Sequence, residues 1–117
     1  MRTSREDLKA FAEDARGALG HGLYLVQCGD RPRNEKPLRG DLSGVSELTA
    51  DSRDGNTYRS IYTVKLDPFV YVLHCFEKKA KSGIATPKLE LDVIRRRLKE
   101  AREEYREYQR NQKAKNS

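Results

Sequence analysis

A chain of 117 residues with 24 Lys and Arg against 18 Asp and Glu, a net charge of +6, has the length of one domain and the charge of a protein that meets anions, nucleic acid first. With 36% charged and 36% hydrophobic residues and no Trp, the core must be small and much of the chain must lie at the surface. No apolar run reaches the ~18 residues of a membrane span and no signal-peptide core is visible, so the sequence predicts a soluble cytoplasmic domain with no membrane partner.

The positive excess lies late in the chain. Residues 1–30 carry four basic and five acidic side chains, whereas residues 84–117 carry ten basic and six acidic. Cys28 and Cys75 sit inside apolar patterns without metal-like spacing and read as reduced core thiols.

From Ser4 to Gly20, Leu8, Phe11, Ala12, Ala15 and Leu19 recur at helical spacing, with Ser4 as N-cap and Glu6 and Asp7 in the first turn. Leu23, Leu25, Val26 and Cys28 continue the pattern until Gly29. Gly17, Gly20 and Gly22 each weaken a helix by up to about 1 kcal/mol, which leaves either one helix of poor middle propensity or a two-helix hairpin. Residues 29–44 hold two prolines and read as a loop. A β meander follows: a strand over 45–51, a turn at Asp54-Gly55-Asn56, a strand over 57–66, a turn at Asp67-Pro68, and a nearly continuous apolar strand over 69–77, as expected of a central strand. Alternation in the middle strand puts Tyr58, Tyr62, Val64 and Leu66 on one face and Arg59, Ile61, Thr63 and Lys65 on the other.

Thr86 and Pro87 are an N-cap and a first helical residue. Beyond them Leu91, Ile94, Leu98, Ala101, Tyr105 and Tyr108 draw one apolar stripe over five turns. The arginines, lysines and glutamates between them read mainly as a solvated face of i,i+4 pairs, and residues 113–117 as a frayed tail. Helices, then antiparallel strands, then a helix make an α+β domain.

These residues also carry a resemblance. The ordered set GVSEL (44–48), YRSIYTV (58–64), VYVLHCFEKKAKSGIATPKLEL (70–91) and RRRLKEA (95–101), with KPLRG at 36–40, resembles the phage-derived HigB-like branch of the RelE/ParE toxin superfamily. The resemblance implies a RelE-like fold, with N-terminal helices and a C-terminal helix on a twisted antiparallel sheet whose other face is open and basic. It implies a toxin encoded beside an antitoxin, commonly a helix-turn-helix protein, with operator DNA met only through the pair. RelE relatives cut messenger RNA in the ribosomal A site, and ParE relatives inhibit DNA gyrase. Two departures stand out: only Met1, Arg2 and Thr3 precede the first helix signal, so the usual first strand is lacking, and Thr49 stands where the branch often has Arg.

RNA cleavage by the adjacent 2′-OH requires a proton acceptor, a stabiliser of the charged phosphorane and a proton donor to the leaving oxygen. Nothing in the sequence resembles a metal site, so no cofactor is expected and basic residues must carry the reaction. Arg59 is placed either as a phosphate clamp or as an ion-pair partner of Glu47 or another sheet carboxylate. Lys78 and Lys79, crowded with Lys81 behind the last strand, act either in proton transfer or in plain phosphate positioning. His74 is either a general acid or base or a buried, hydrogen-bonded structural residue. Lys81, Lys65 and Arg95 complete the expected phosphate ligands, and His21 reads as structural or surface. Alternation separates His74, Phe76 and Lys78 from Cys75, Glu77 and Lys79.

Overall fold

The computed structural model describes residues 11, 13–38, 42, 44–53, 55–66, 69–78 and 88–116. Six elements follow in order: α1 (Glu13–Gln27), β1 (Glu35–Pro37), β2 (Val45–Asp51), β3 (Thr57–Thr63), β4 (Tyr71–Lys78) and α2 (Lys88–Asn116). The four strands pair antiparallel in the order β1-β2-β3-β4. The α+β class expected from the sequence is present.

Helix α1 runs unbroken through Gly17, Gly20 and Gly22, so the hairpin alternative over these residues does not occur. Phe11 lies outside the helix but packs on Tyr58 with ring centroids 4.7 Å apart. The predicted N-cap Ser4 and the question of a first strand lie outside the described residues. At the other end Gly29, with φ of 87°, accepts the left-handed turn that ends the helix. Its N–H donates to the Val26 carbonyl and that of Asp30 to the Leu25 carbonyl, a Schellman closure. Cys28 sits at this closure and is exposed, unlike the buried Cys75, which corrects its reading as a core thiol. In the first turn Asp14 accepts hydrogen bonds from the Ser52 hydroxyl at 2.8 Å and the Arg53 N–H at 2.9 Å, tying α1 to the β2–β3 turn.

Adjacent residues of β2 and β3 serve different cores. Leu48, Ala50, Tyr58 and Tyr62 pack under α1 with Ala15, Leu19 and Val26. Val45, Ile61, Leu73 and Phe76 pack under α2 with Ile94, Leu98 and Ala101. The helices therefore cover opposite faces of the sheet, and the expected open face is filled from Leu73 to Val45 by α2. The physical reason is the two-sided apolar content of the strands: Ile61 and Tyr62 are neighbours in β3, both essentially fully buried, on opposite faces.

Three further expectations are corrected. The loop predicted for residues 29–44 contains β1, which pairs Glu35 with Leu48 and Pro37 with Ser46 at the sheet edge. β3 ends at Thr63 and not at Leu66; Val64 is exposed, and Leu66 packs against the α2-side core. β4 is an outer strand among the described residues, and its long apolar run reflects a bulge. The pairing slips between Ile61, opposite His74, and Tyr62, opposite Val72. Leu73 is the extra residue, so Leu73 and His74 both serve the α2 side. Finally, α2 continues as helix to Asn116, through most of the segment expected to fray.

The α1–sheet contact is closest at Gly22, where a Cβ would lie 3.1 Å from a Leu48 methyl; at Gly17 it would meet nothing within 4 Å. Gly22→Val is expected to lower the unfolding free energy by about 1–3 kcal/mol through overpacking. Gly17→Ala is expected to raise it by ~0.5–1 kcal/mol through helix propensity. Urea denaturation of the two variants checks both signs.

Candidate functional site

The register of β3 and β4 sets the site. Arg59 lies opposite Phe76, Ile61 opposite His74 and Thr57 opposite Lys78, so Arg59, His74 and the Lys78 position follow one another along the β3–β4 ladder, with His74 near the middle of β4 and Lys78 at its end. His74 and Phe76 serve the α2 side while Cys75 bonds to Ser60 on the other, as alternation predicts. Lys79 and Lys81 lie outside the described residues.

Arg59 is engaged. Its Nη1 donates to Glu47 Oε2 at 3.0 Å, and both side chains are nearly buried, 11% and 6% exposed. Thr49, opposite Arg59 on β2, donates its hydroxyl to the second Glu47 oxygen at 3.3 Å. The residue that stands in for the branch's arginine thus steadies the carboxylate that holds Arg59. A phosphate arriving here has to share Arg59 with Glu47 or displace it.

His74 is buried to 8% exposure and held at both ring nitrogens by α2. Arg97 Nη1 lies 2.9 Å from Nδ1 and also donates to the Leu73 carbonyl at 3.1 Å. Guanidinium has only donors, so Nδ1 is the acceptor and the imidazole N–H at Nε2 donates to Glu90. The His74 ring stacks on Phe76 at 5.3 Å. Glu90 lies in the first turn of α2, where the helix dipole favours its charge, and its side chain is 30% exposed. The chain Arg97–His74–Glu90 therefore links a half-buried arginine through a buried imidazole to a carboxylate that reaches solvent. Sequence reasoning missed Glu90 and Arg97, although their spacing of seven puts both on one flank of a helix.

The remaining candidates are elsewhere. Lys65 lies beyond the opposite end of β3 and lines a cleft of about 630 Å³ between the end of α1 and the β1 edge. There the Tyr62 hydroxyl donates to Glu35, whose other oxygen accepts from Arg31 at 3.1 Å. Burial, and next the bond to Glu35, push the Tyr62 phenol well above its ordinary range. Arg95 is exposed on α2 and pairs with Asp92 at 3.2 Å, and His21 is exposed on α1. Tyr58 and Tyr62 are core, while Tyr105 and Tyr108 stack beside Phe69.

A family model described as Phage derived protein Gp49-like (DUF891) matches residues 6–99. The chain belongs to the phage-derived Gp49-like family. No curated protein and no solved structure matches it. Both charged groups of this Gp49-like chain, Glu47–Arg59 and Arg97–His74–Glu90, lie within the matched span, whereas the second half of α2 lies beyond it. No helix among the described residues is long and apolar enough to cross a membrane.

Glu47→Ala removes the carboxylate from a nearly buried guanidinium and is expected to destabilise the fold by on the order of 3 kcal/mol in chemical denaturation. For Tyr62, the folded state prefers the protonated phenol more than the unfolded chain does. Stability is fully present below the ordinary phenol pKa of 10.0 and falls as the pH rises above it. Tyr71, raised by burial and by Glu104, adds to the same trend. Thermal unfolding between pH 8 and pH ~11 should show a falling Tm, with a shallower slope in Tyr62→Phe.

Proposed function

We propose that this Gp49-like chain is the toxin of a toxin–antitoxin pair and acts as a ribosome-dependent endoribonuclease on messenger RNA. The observation that carries this reading is the succession of Arg59, His74 and the Lys78 position along the β3–β4 ladder, with the carboxylates of Glu47 and Glu90 on Arg59 and His74. Phage-derived family membership supports it, as does the resemblance of the ordered motifs to HigB-like toxins.

In the proposed reaction the ribose 2′-oxygen attacks the adjacent phosphorus, the bond from phosphorus to the 5′-oxygen breaks, and the products are a 2′,3′-cyclic phosphate and a 5′-hydroxyl. The 2′-OH proton passes to Glu90, the solvent-reaching carboxylate that His74 orients and Arg97 backs. Arg59, exchanging Glu47 for a phosphate oxygen, neutralises the phosphorane. Lys78, at the strand end, supplies the proton or the positive charge at the leaving oxygen. An antitoxin of the helix-turn-helix kind would block these residues and carry the pair to operator DNA.

The engagement of both Arg59 and His74 with carboxylates favours a second reading, a ParE-like protein that inhibits DNA gyrase by contact alone. Inducing the gene by itself and sequencing RNA ends separates the two. Growth arrest with cut messenger bearing cyclic phosphate ends, weakened about 100-fold or more by Lys78→Ala, is the expected result. Arrest with intact messenger and a DNA-damage response would establish the gyrase reading instead, and no arrest at all an inactive phage remnant.

A further inference from the structure

Helix α2 extends well past its core. Ala101 is its last buried residue, yet the helix continues to Asn116, and the molecule measures 54 × 27 × 24 Å. Tyr105 and Tyr108 still lean on the sheet through Phe69, while residues 109–115 are exposed except for a half-buried Gln112.

The charges on this helix are sorted. At ~100° per residue, Arg95, Lys99, Arg102, Arg106, Arg110 and Lys113 fall within an arc of about 80°, at steps of 4, 3, 4, 4 and 3 residues. All six are exposed. Glu100, Glu103, Glu104 and Glu107 occupy the next sector, and Ile94, Leu98, Ala101 and Tyr105 face the sheet. Arg95 pairs with Asp92, but among the described residues Arg102, Arg106, Arg110 and Lys113 are held in no ion pair. Arg106, Arg110 and Lys113, with Gln109, line one shallow depression of the surface.

We propose that this stripe is a docking surface for the phosphate backbone of double-stranded RNA. Six cations spread over roughly 27 Å of a straight helix match a rigid, evenly charged rod better than an isolated anion. The stripe contains no aromatic side chain on which an unpaired base could stack, and Tyr105 and Tyr108 face the sheet. It is therefore built to meet backbone charge and shape, the way duplex RNA is held, and not to read bases. The choice of RNA over DNA rests on the messenger-cleaving reading, in which the sheet residues cut and the helix anchors the protein to folded RNA such as that of a ribosome. The stripe continues past residue 99, so its outer half lies beyond the residues that match the family model.

The test is fluorescence anisotropy of the full chain, carrying Lys78→Ala to exclude cleavage, with a labelled RNA hairpin duplex of ~20 base pairs across a salt series. Expected is binding whose logarithm falls steeply with the logarithm of salt. The triple substitution Arg102→Glu, Arg106→Glu, Arg110→Glu should weaken it at least tenfold and flatten the slope by about 3. The triple Gln variant, which keeps helix propensity and is checked by circular dichroism, should behave alike. Arg96→Glu, in the acidic sector, should bind as the parent does. Unchanged binding by both triple variants overturns the proposal, and so does binding of a DNA duplex or of polyglutamate as tight as that of RNA. Because cleavage plays no part in the measurement, loss of the stripe and loss of the nuclease reading are separately visible.

Discussion

The bulge between Ile61 and Tyr62 is the constraint on which the rest of the molecule depends. In a regular ladder Leu73 would oppose Tyr62 and serve the α1 side. The slip makes Leu73 the extra residue, so that it and His74 both meet α2. One of the pair then packs in the apolar core while the other carries the hydrogen bonds to Glu90 and Arg97. The same irregularity thus anchors the long helix to the outer strand and installs the polar group beside the middle of β4. It also fixes the direction of α2, which runs back along β4 from His74 at its start to Phe69 beside Tyr108.

The two charged groups differ in kind. Glu47 and Arg59 are both nearly buried, so much of their mutual attraction offsets lost hydration; the pair positions the strands more than it stabilises them. The His74 group is graded from inside outward. Arg97 holds the inner nitrogen and a backbone carbonyl, the imidazole is fixed in one tautomer, and Glu90 ends the chain where solvent reaches. A carboxylate oriented this way can exchange a proton with a ligand without moving the core. Arg59, by contrast, holds Glu47 through one nitrogen, so an anion meeting it would share the guanidinium with an internal carboxylate or displace that carboxylate.

Much of the fold was legible because it is local. β2 over 45–51 and the long C-terminal helix follow from alternation and from a 3–4 apolar rhythm, whereas for α1 the same rhythm and Gly29 as terminator mark helix but leave one helix and a two-helix hairpin both open. β1 was not legible, since Glu35-Lys36-Pro37 has no apolar alternation. It is held by pairing with β2 and by the bond from Tyr62 to Glu35, both long-range facts. Among site residues, alternation correctly grouped His74 with Phe76, but it could not supply distance. Arg59 and Lys65 share parity, yet six residues of extended chain span roughly 20 Å, and the strand ends before Lys65 is reached. Glu90 and Arg97 escaped because a partner of a buried histidine is chosen by where a helix lands.

The sorting of charge on α2 is not explained by the helix itself. Arg102 with Arg106, Arg106 with Arg110, Glu100 with Glu104 and Glu103 with Glu107 are like-charged neighbours at i,i+4, each unfavourable by about 0.2–0.5 kcal/mol in an isolated helix. The opposite neighbours Arg96 with Glu100 and Lys99 with Glu103 at i,i+4, and Glu103 with Arg106 and Glu107 with Arg110 at i,i+3, offset part of this. The same residues interleaved so that every i,i+4 neighbour were opposite in sign would make a more stable helix and an electrically featureless one. Packing does not demand the arrangement either, because the apolar stripe needs only its own sector. A segregation that costs the helix something and gains the core nothing makes sense as a property of the surface, a linear positive face presented to whatever lies alongside it.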